Sequence, residues 1–335
     1  MKTCTNFLIL GFALLVNQLS IAQNCGFRQL NPEIAYFLKL IGYKDLSLEQ
    51  LRKTPIEQIK FAGPPAIPYP TSDVTKIKIT ADSIPVLVFN PTKGKNLPII
   101  IHYHGGGFIA PLLPCLEQPL WLEAKTYEAV VFAVDYRVAP EHPFPAAVND
   151  SYNAFKWIAE NGSKFGGDTT KIILEGNSAG ANLVAVTAQK AKKEGISHQI
   201  KLQVMNGLPV DLRPSNMENS SSYQENAVGY FQTKDACYFS VETYAPQQYN
   251  NPEVSPILTE DLTGLPPAVI INAEFDPLRD DGALYAAKLR QFGVTVWEKC
   301  FPGQIHCLIG LLPEAKEIKE YQAIVKQAIT ASCKP

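Results

Sequence analysis

A serine enclosed by small residues has the clearest chemical meaning in this sequence. Residues 176–180 read Gly-Asn-Ser-Ala-Gly, directly after a short apolar run and directly before a stretch rich in Ala, Leu and Val. Small neighbours allow a very tight strand-to-helix turn from which the hydroxyl of Ser178 projects. The pattern predicts a nucleophile for acyl transfer, although the pentapeptide alone also fits an ordinary glycine-containing turn.

Three consecutive glycines upstream could stabilise negative charge on a reacting oxygen. Residues 104–108 read His-Gly-Gly-Gly-Phe and follow the apolar run 99–103. Glycine lets backbone N–H groups approach a ligand closely. We assign the N–H groups of Gly106 and Gly107, together with that of Ala179, as oxyanion donors. A phosphate-binding loop is disfavoured because neither common phosphate-loop pattern occurs.

Elimination gives the general base. The sequence has five histidines, of which four adjoin the glycines or lie in proline-rich or polar loops: His102, His104, His142 and His198. His306 follows the last predicted strand and the residues Phe-Pro-Gly. We therefore predict that His306 takes the proton of Ser178.

Asp276 is the predicted acid that orients this histidine. It follows the predicted strand 268–272, and the order serine, acid, histidine is that of α/β hydrolases. Its rivals are Glu274, Asp280 and Asp281, the last two being better suited to the start of the next helix.

Neither a metal nor a cofactor is predicted. His102 and His104 would share one strand face, but the sequence around them offers no convincing third and fourth ligand. The formal net charge of −2 provides no basic excess for nucleic acid or an anionic membrane surface. The expected partner is a small-molecule ester, without nucleic acid or stable membrane insertion, and the sequence leaves a homo-oligomer open.

The order of elements predicts an α/β fold with a mostly parallel sheet covered on both faces. Predicted strands occupy 74–79, 86–89, 99–103, 130–134, 172–175, 202–205, 268–272 and 294–298, and later helices 146–160, 178–193, 280–292 and 314–329. We predict a single domain over 23–335, with cap elements at about 23–62, which contains two helices, and 215–251. A disordered loop is disfavoured for 215–251 because it is rich in aromatic residues.

The first 22 residues resemble a cleavable export signal. Lys2 precedes an apolar stretch, and Ser-Ile-Ala at 20–22 forms a small-x-small cleavage site. The alternative is a buried first helix. We expect a secreted or periplasmic protein in which some of six remaining cysteines form disulfides. These are Cys25, Cys115, Cys237, Cys300, Cys307 and Cys333.

Four blocks together resemble the hormone-sensitive-lipase-like branch of the α/β hydrolases: residues 104–107, 135–146, 176–180 and 276–280. The resemblance implies an eight-stranded sheet with a helical cap, the triad of Ser178, Asp276 and His306, and esterase activity without a cofactor. Asn177 departs from the aspartate or threonine common before the serine. Cys307 stands where relatives more often have glycine. We hypothesise a disulfide between Cys300 and Cys307. The alternatives are that both are free thiols or that they pair with other cysteines.

The predicted function is hydrolysis of short to medium acyl carboxylic esters through an acyl-enzyme intermediate. Plant gibberellin receptors resemble this branch but lack the catalytic histidine, so an inactive binding protein is the first alternative. The presence of His306 disfavours it. An amidase or a peptidase that releases small acyl groups is the second, because the same triad would suffice.

Overall fold

The computed structural model describes residue 25 and residues 28–333, except 62, 64 and 80–82. The predicted export signal, 1–22, lies outside the described residues. Within the described part of the chain, no helix combines the length and the apolar character needed to cross a membrane.

Helices and strands alternate through most of the described chain. The helices are α1 Pro32–Leu40, α2 Leu48–Lys53, α3 Ile56–Lys60, α4 Glu117–Thr126, α5 Ala146–Asn161, α6 Ala179–Lys193, α7 Pro214–Asn219, α8 Ser221–Glu225, α9 Lys234–Tyr244, α10 Arg279–Gln291 and α11 Lys316–Ser332. The strands are β1 Val74–Ile79, β2 Ile84–Phe89, β3 Leu97–Tyr103, β4 Val130–Val134, β5 Gly167–Asn177, β6 Ile200–Asn206, β7 Ala268–Phe275 and β8 Val296–Ile305.

The strands form one eight-stranded sheet in the order β1-β2-β4-β3-β5-β6-β7-β8. The pairs β1·β2 and β2·β4 are antiparallel, and all later pairs are parallel. Every residue of β4 and β7 is buried, as expected for strands covered on both faces. The predicted mostly parallel, eight-stranded α/β sheet is therefore confirmed.

Helices cover the sheet on both sides. Residues of α5, α6 and α10 pack with Ile101 and Leu174 on one face, whereas α4 and α11 pack with Ile100 and Ile173 on the other. Neighbouring strand residues point to opposite faces, so each strand contributes to both cores. The parallel strands end at one common edge, where their following loops meet.

Two helical segments outside the sheet contact each other beside this edge. Leu51 of α2, Phe239 of α9 and Ile109 form a small apolar cluster. Arg52 and Glu242 add an ion pair with an Nη2–Oε2 distance of 2.6 Å. These helices belong to the two segments, 23–62 and 215–251, that the sequence predicts as cap elements.

Two differences between the sequence-based element assignment and the structure concern residues with a possible functional role. Helix α4 was not predicted, because the Pro119 in its first turn and a weak apolar pattern conceal it. Strand β8 continues through Pro302 and Gly303 to Ile305, further than the predicted end at 298. Helix α4 carries the partly buried Glu123, and β8 leads directly to His306.

Candidate active site

Ser178 occupies a strained turn between β5 and α6. Its backbone angles are φ 54° and ψ −121°, a region that side-chain-bearing residues rarely adopt. A Cβ at Gly176 would overlap the Gly180 carbonyl, and a Cβ at Gly180 would overlap the Tyr103 carbonyl oxygen. Both glycines are therefore required for the turn that presents the serine.

The glycine loop after β3 lies directly against this turn. A Cβ built on Gly105 would lie 3.5 Å from the Ser178 Cβ. Gly106 and Gly107 have φ angles of 116° and 61°, which favour glycine. Among the described residues, none accepts a hydrogen bond from the backbone N–H of Gly106, Gly107 or Ala179. These three predicted donors are thus free to bind a substrate oxygen.

His104 holds the glycine loop in place and is not positioned as a base. Its ring stacks on Tyr136 with 4.1 Å between centroids, and its Nδ1 donates to the Gly105 carbonyl over 2.8 Å. The Tyr136 hydroxyl donates to the His104 carbonyl over 2.7 Å. Burial lowers the pKa of His104, which favours a neutral ring.

His306 and Asp276 form a buried pair. The Nδ1 of His306 donates to Oδ2 of Asp276 over 2.7 Å, and the N–H of Leu278 donates to Oδ1 over 2.9 Å. Burial acts to lower the pKa of His306, but Asp276 and the thiol of Cys307 outweigh it and hold that pKa well above the ordinary value. This environment favours the charged imidazolium, the form that a general base acquires when it accepts a proton.

The carbonyl of Asn206 contacts both the serine turn and Cys307, the residue after the histidine. It accepts from the Ser178 N–H over 2.8 Å and from Sγ of Cys307 over 3.5 Å. That Sγ lies 3.4 Å from Nε2 of His306. A Cβ on Gly207 would lie 2.7 Å from Cε1 of His306. The carboxyl end of β6 therefore contacts both the serine turn and the residue after His306, a role that sequence reasoning missed. Among the described residues, no direct hydrogen bond joins Oγ of Ser178 to Nε2 of His306.

The rival carboxylates have other partners. Oε2 of Glu274 accepts from the Gly303 N–H over 2.8 Å. Asp280 accepts from the Ser222 N–H over 2.8 Å, and Asp281 accepts from the Val210 N–H over 3.0 Å. Each thus accepts from a backbone N–H of another segment, whereas Asp276 is bonded to the histidine.

A small apolar cavity of about 30 Å³ opens beside Ser178. The 215–251 segment contributes part of its lining through Tyr223, Cys237 and Val241, all of which are buried. The same segment also contributes Gln232 and Ser240, and the rest comes from the glycine loop, the serine turn and neighbouring loops: Gly107, Phe108, Ala179, Pro209, Leu212 and Leu278. The long insertion after β6 therefore shapes the space available to a substrate.

The disulfide hypothesis is wrong. Cys300 pairs with Cys25, with 5.5 Å between Cα atoms, and Cys307 is a free thiol. Beyond Cys300, β8 stays extended to Ile305. An extended strand advances about 3.3 Å per residue, which soon exceeds the Cα separation of about 7 Å that a disulfide spans. The disulfide instead ties the segment before α1 to the sheet.

Comparison with known proteins agrees with this geometry. The α/β-hydrolase fold family profile matches residues 100–310. An arylesterase of Saccharolobus solfataricus is 32% identical over 290 residues, covering 84% of this chain and 92% of that protein. Carboxylesterase NlhH of Mycobacterium tuberculosis is 36% identical over 249 residues, covering 70% of this chain and 75% of that protein.

Among solved structures, a hyperthermophilic esterase from Pyrobaculum calidifontis has a TM-score of 0.76 and 36% identity, covering 90% of this chain and 98% of that one. The fold and the site define a hydrolase of the α/β class. The chain belongs to the α/β-hydrolase fold family, in its hormone-sensitive-lipase-like branch, and the predicted family is confirmed.

Proposed function

We propose that the protein hydrolyses carboxylic esters of short to medium acyl chains through an acyl-enzyme intermediate on Ser178. Its relatives in several organisms are named esterases or carboxylesterases, so the protein is an ester hydrolase, as the sequence predicts. The observation that carries the mechanism is the 2.7 Å bond between His306 and Asp276 beside the strained serine.

The residues of the site have distinct tasks in this mechanism. His306 accepts the hydroxyl proton through Nε2 while Oγ of Ser178 attacks the ester carbonyl. The N–H groups of Gly106, Gly107 and Ala179 stabilise the resulting oxyanion. His306 then protonates the leaving alcohol, and a water molecule activated by the same imidazole releases the acid. Asp276 orients the ring and stabilises its charge without taking the proton.

The small cavity beside Ser178 favours short acyl groups. We expect the kcat/KM of p-nitrophenyl esters to fall from butyrate to dodecanoate. Val241→Ala should enlarge the cavity and raise the octanoate-to-acetate ratio by roughly 10-fold, since one methylene in an apolar pocket changes specificity by about 10- to 200-fold. The exposed Val228 provides a matched control, Val228→Ala, which should leave the ratio unchanged.

An unchanged ratio in Val241→Ala, or faster hydrolysis of dodecanoate than of acetate by the unmodified enzyme, would contradict this size limit. Matched p-nitroanilides in the same panel separate ester from amide hydrolysis. A higher kcat/KM for anilides than for esters would favour the amidase alternative.

We also propose that the protein is exported after cleavage behind Ala22. The signal-like N-terminus supports this, and so does the Cys25–Cys300 disulfide, because such bonds persist mainly in oxidising compartments. When the full chain is expressed in a Gram-negative host, mass spectrometry of the periplasmic fraction should find an N-terminus at Gln23. An unprocessed chain confined to the cytoplasm would refute export.

A further inference from the structure

Three polar side chains meet on the sheet face opposite α6. His102 of β3 and Glu175 of β5 are direct partners in the parallel register. Glu123 projects from α4, whose Leu120 and Ala124 pack on that same face. The nitrogen and carboxylate oxygens available as ligands lie within 4.8 Å of one another. A sheet interior that is otherwise apolar here thus contains one imidazole and two carboxyl groups.

Each of the three groups has a buried atom without a hydrogen-bond partner among the described residues. These atoms are Nδ1 of His102, Oε1 of Glu123 and Oε2 of Glu175. His102 is 4% exposed and Glu175 is 2% exposed, so both lie away from bulk solvent, whereas Glu123 is partly buried. Oε1 of Glu175 accepts from the Tyr321 hydroxyl over 3.0 Å, and the carboxyl groups of Glu123 and Glu175 lie within hydrogen-bonding reach of each other. Buried polar groups without partners are costly, and three in one cluster call for a common ligand.

No positive side chain neutralises the two carboxyl groups. In the part of the chain that the structure describes, neither Glu123 nor Glu175 has an ion-pair partner. The phenols of Tyr127 and Tyr321 lie close by and carry no positive charge. The two negative charges of the carboxylates, with a neutral imidazole, would balance the charge of one divalent cation.

We propose that His102, Glu123 and Glu175 bind Zn²⁺. One nitrogen with two carboxylate oxygens suits zinc, whereas Mg²⁺ and Ca²⁺ prefer oxygen ligands alone. Around tetrahedral zinc, with ligands at about 2.0–2.1 Å, donor atoms stand about 3.4 Å apart, so small side-chain rotations bring these three into place and leave the fourth position to a water molecule.

The role of this ion is structural. It would join α4 to β3 and β5, the two strands that lead into the glycine loop and into Ser178. The sequence-based search for a metal paired His102 with His104. The cluster contains neither His104 nor any two ligands from one element, so sequence spacing alone could not reveal it.

Zinc binding to the purified, EDTA-treated protein tests the proposal, and it is measured by calorimetry and by Tm with added ZnCl₂. To remove the partly buried free thiol next to His306 as a competing ligand, the measurements use a Cys307→Ser background. We expect one zinc ion per chain and a Tm that rises by several degrees, since a ligand of the native state alone stabilises it. Glu123→Gln and Glu175→Gln should each weaken binding by roughly 100-fold or more, because even outer-shell partners are worth about 10- to 100-fold.

His142→Gln and His198→Gln remove exposed histidines elsewhere and should leave binding unchanged. Co²⁺ provides a second readout that does not depend on stability, through visible absorption bands lost in Glu175→Gln. If the two carboxyl groups share a proton instead, zinc will not change Tm and Glu175→Gln will be neutral or stabilising. That result would overturn the proposal, as would zinc binding that persists in the Glu123→Gln, Glu175→Gln double variant.

Discussion

Ser178→Ala should reduce kcat on p-nitrophenyl acetate by roughly 10⁴-fold or more, because loss of a triad nucleophile removes the covalent pathway. The oxyanion donors are backbone groups and remain in place, so KM should change little. The substitution also removes only one oxygen from a turn whose shape depends on Gly176 and Gly180. We therefore expect circular dichroism and Tm to match those of the unmodified protein.

Ser163→Ala is a suitable control for this loss, because Ser163 is exposed and lies before β5, away from the site. It should retain full activity. An organophosphonate ester should label the unmodified enzyme once, on the peptide that contains Ser178, and should not label Ser178→Ala. A variant that retains hydrolysis near the unmodified rate, or a label on another serine, would refute the proposed mechanism and favour a binding protein.

Most of the sheet was predictable because its central strands are short, apolar and separated by helices. The runs at 99–103, 130–134 and 268–272 all lie within strands of the structure. The serine turn was equally clear, since Gly176 and Gly180 have no tolerated replacement there. Local sequence determines such features, and a pattern over ten residues is enough to recognise them.

Features that depend on contacts between distant segments were not predictable. The Cys25–Cys300 pair joins residues 275 positions apart. The register that places His102 beside Glu175 appears only when β3 and β5 pair. The Asn206 carbonyl, which accepts from Ser178 and Cys307, belongs to a third strand. In each case, the sequence identifies the residue but not the residue that it contacts in the folded chain.

The effect of Cys307 on the site likewise depends on the residues that it contacts. Cys307 has a φ of 55°, which explains why glycine would suit this position better. Its thiol instead contacts both Nε2 of His306 and the Asn206 carbonyl. A residue that looked like a disulfide partner is thus part of the surroundings of the base, and it contributes to raising the pKa of His306.

Asp276→Asn should lower kcat by roughly 10⁴-fold, the loss seen when a triad histidine is left in the wrong tautomer. The Oδ2 of Asp276 accepts from Nδ1 of His306, whereas an amide nitrogen there would donate and force the proton onto Nε2. Asp276 also raises the pKa of His306. In the unmodified enzyme, kcat/KM should therefore fall as pH decreases through that raised pKa, because the protonated ring cannot act as a base.

Glu274→Gln is the matched control, since Glu274 was the nearest rival for the acid and lies two residues away. Its carboxylate accepts only from the Gly303 N–H among the described residues, and the amide oxygen of glutamine can accept the same bond. Activity in this variant should stay within a few-fold of the unmodified enzyme. If Glu274→Gln lost activity to the same extent as Asp276→Asn, the acid would be misassigned. The distinction rests on geometry, because both carboxyl groups are buried and only that of Asp276 contacts the imidazole.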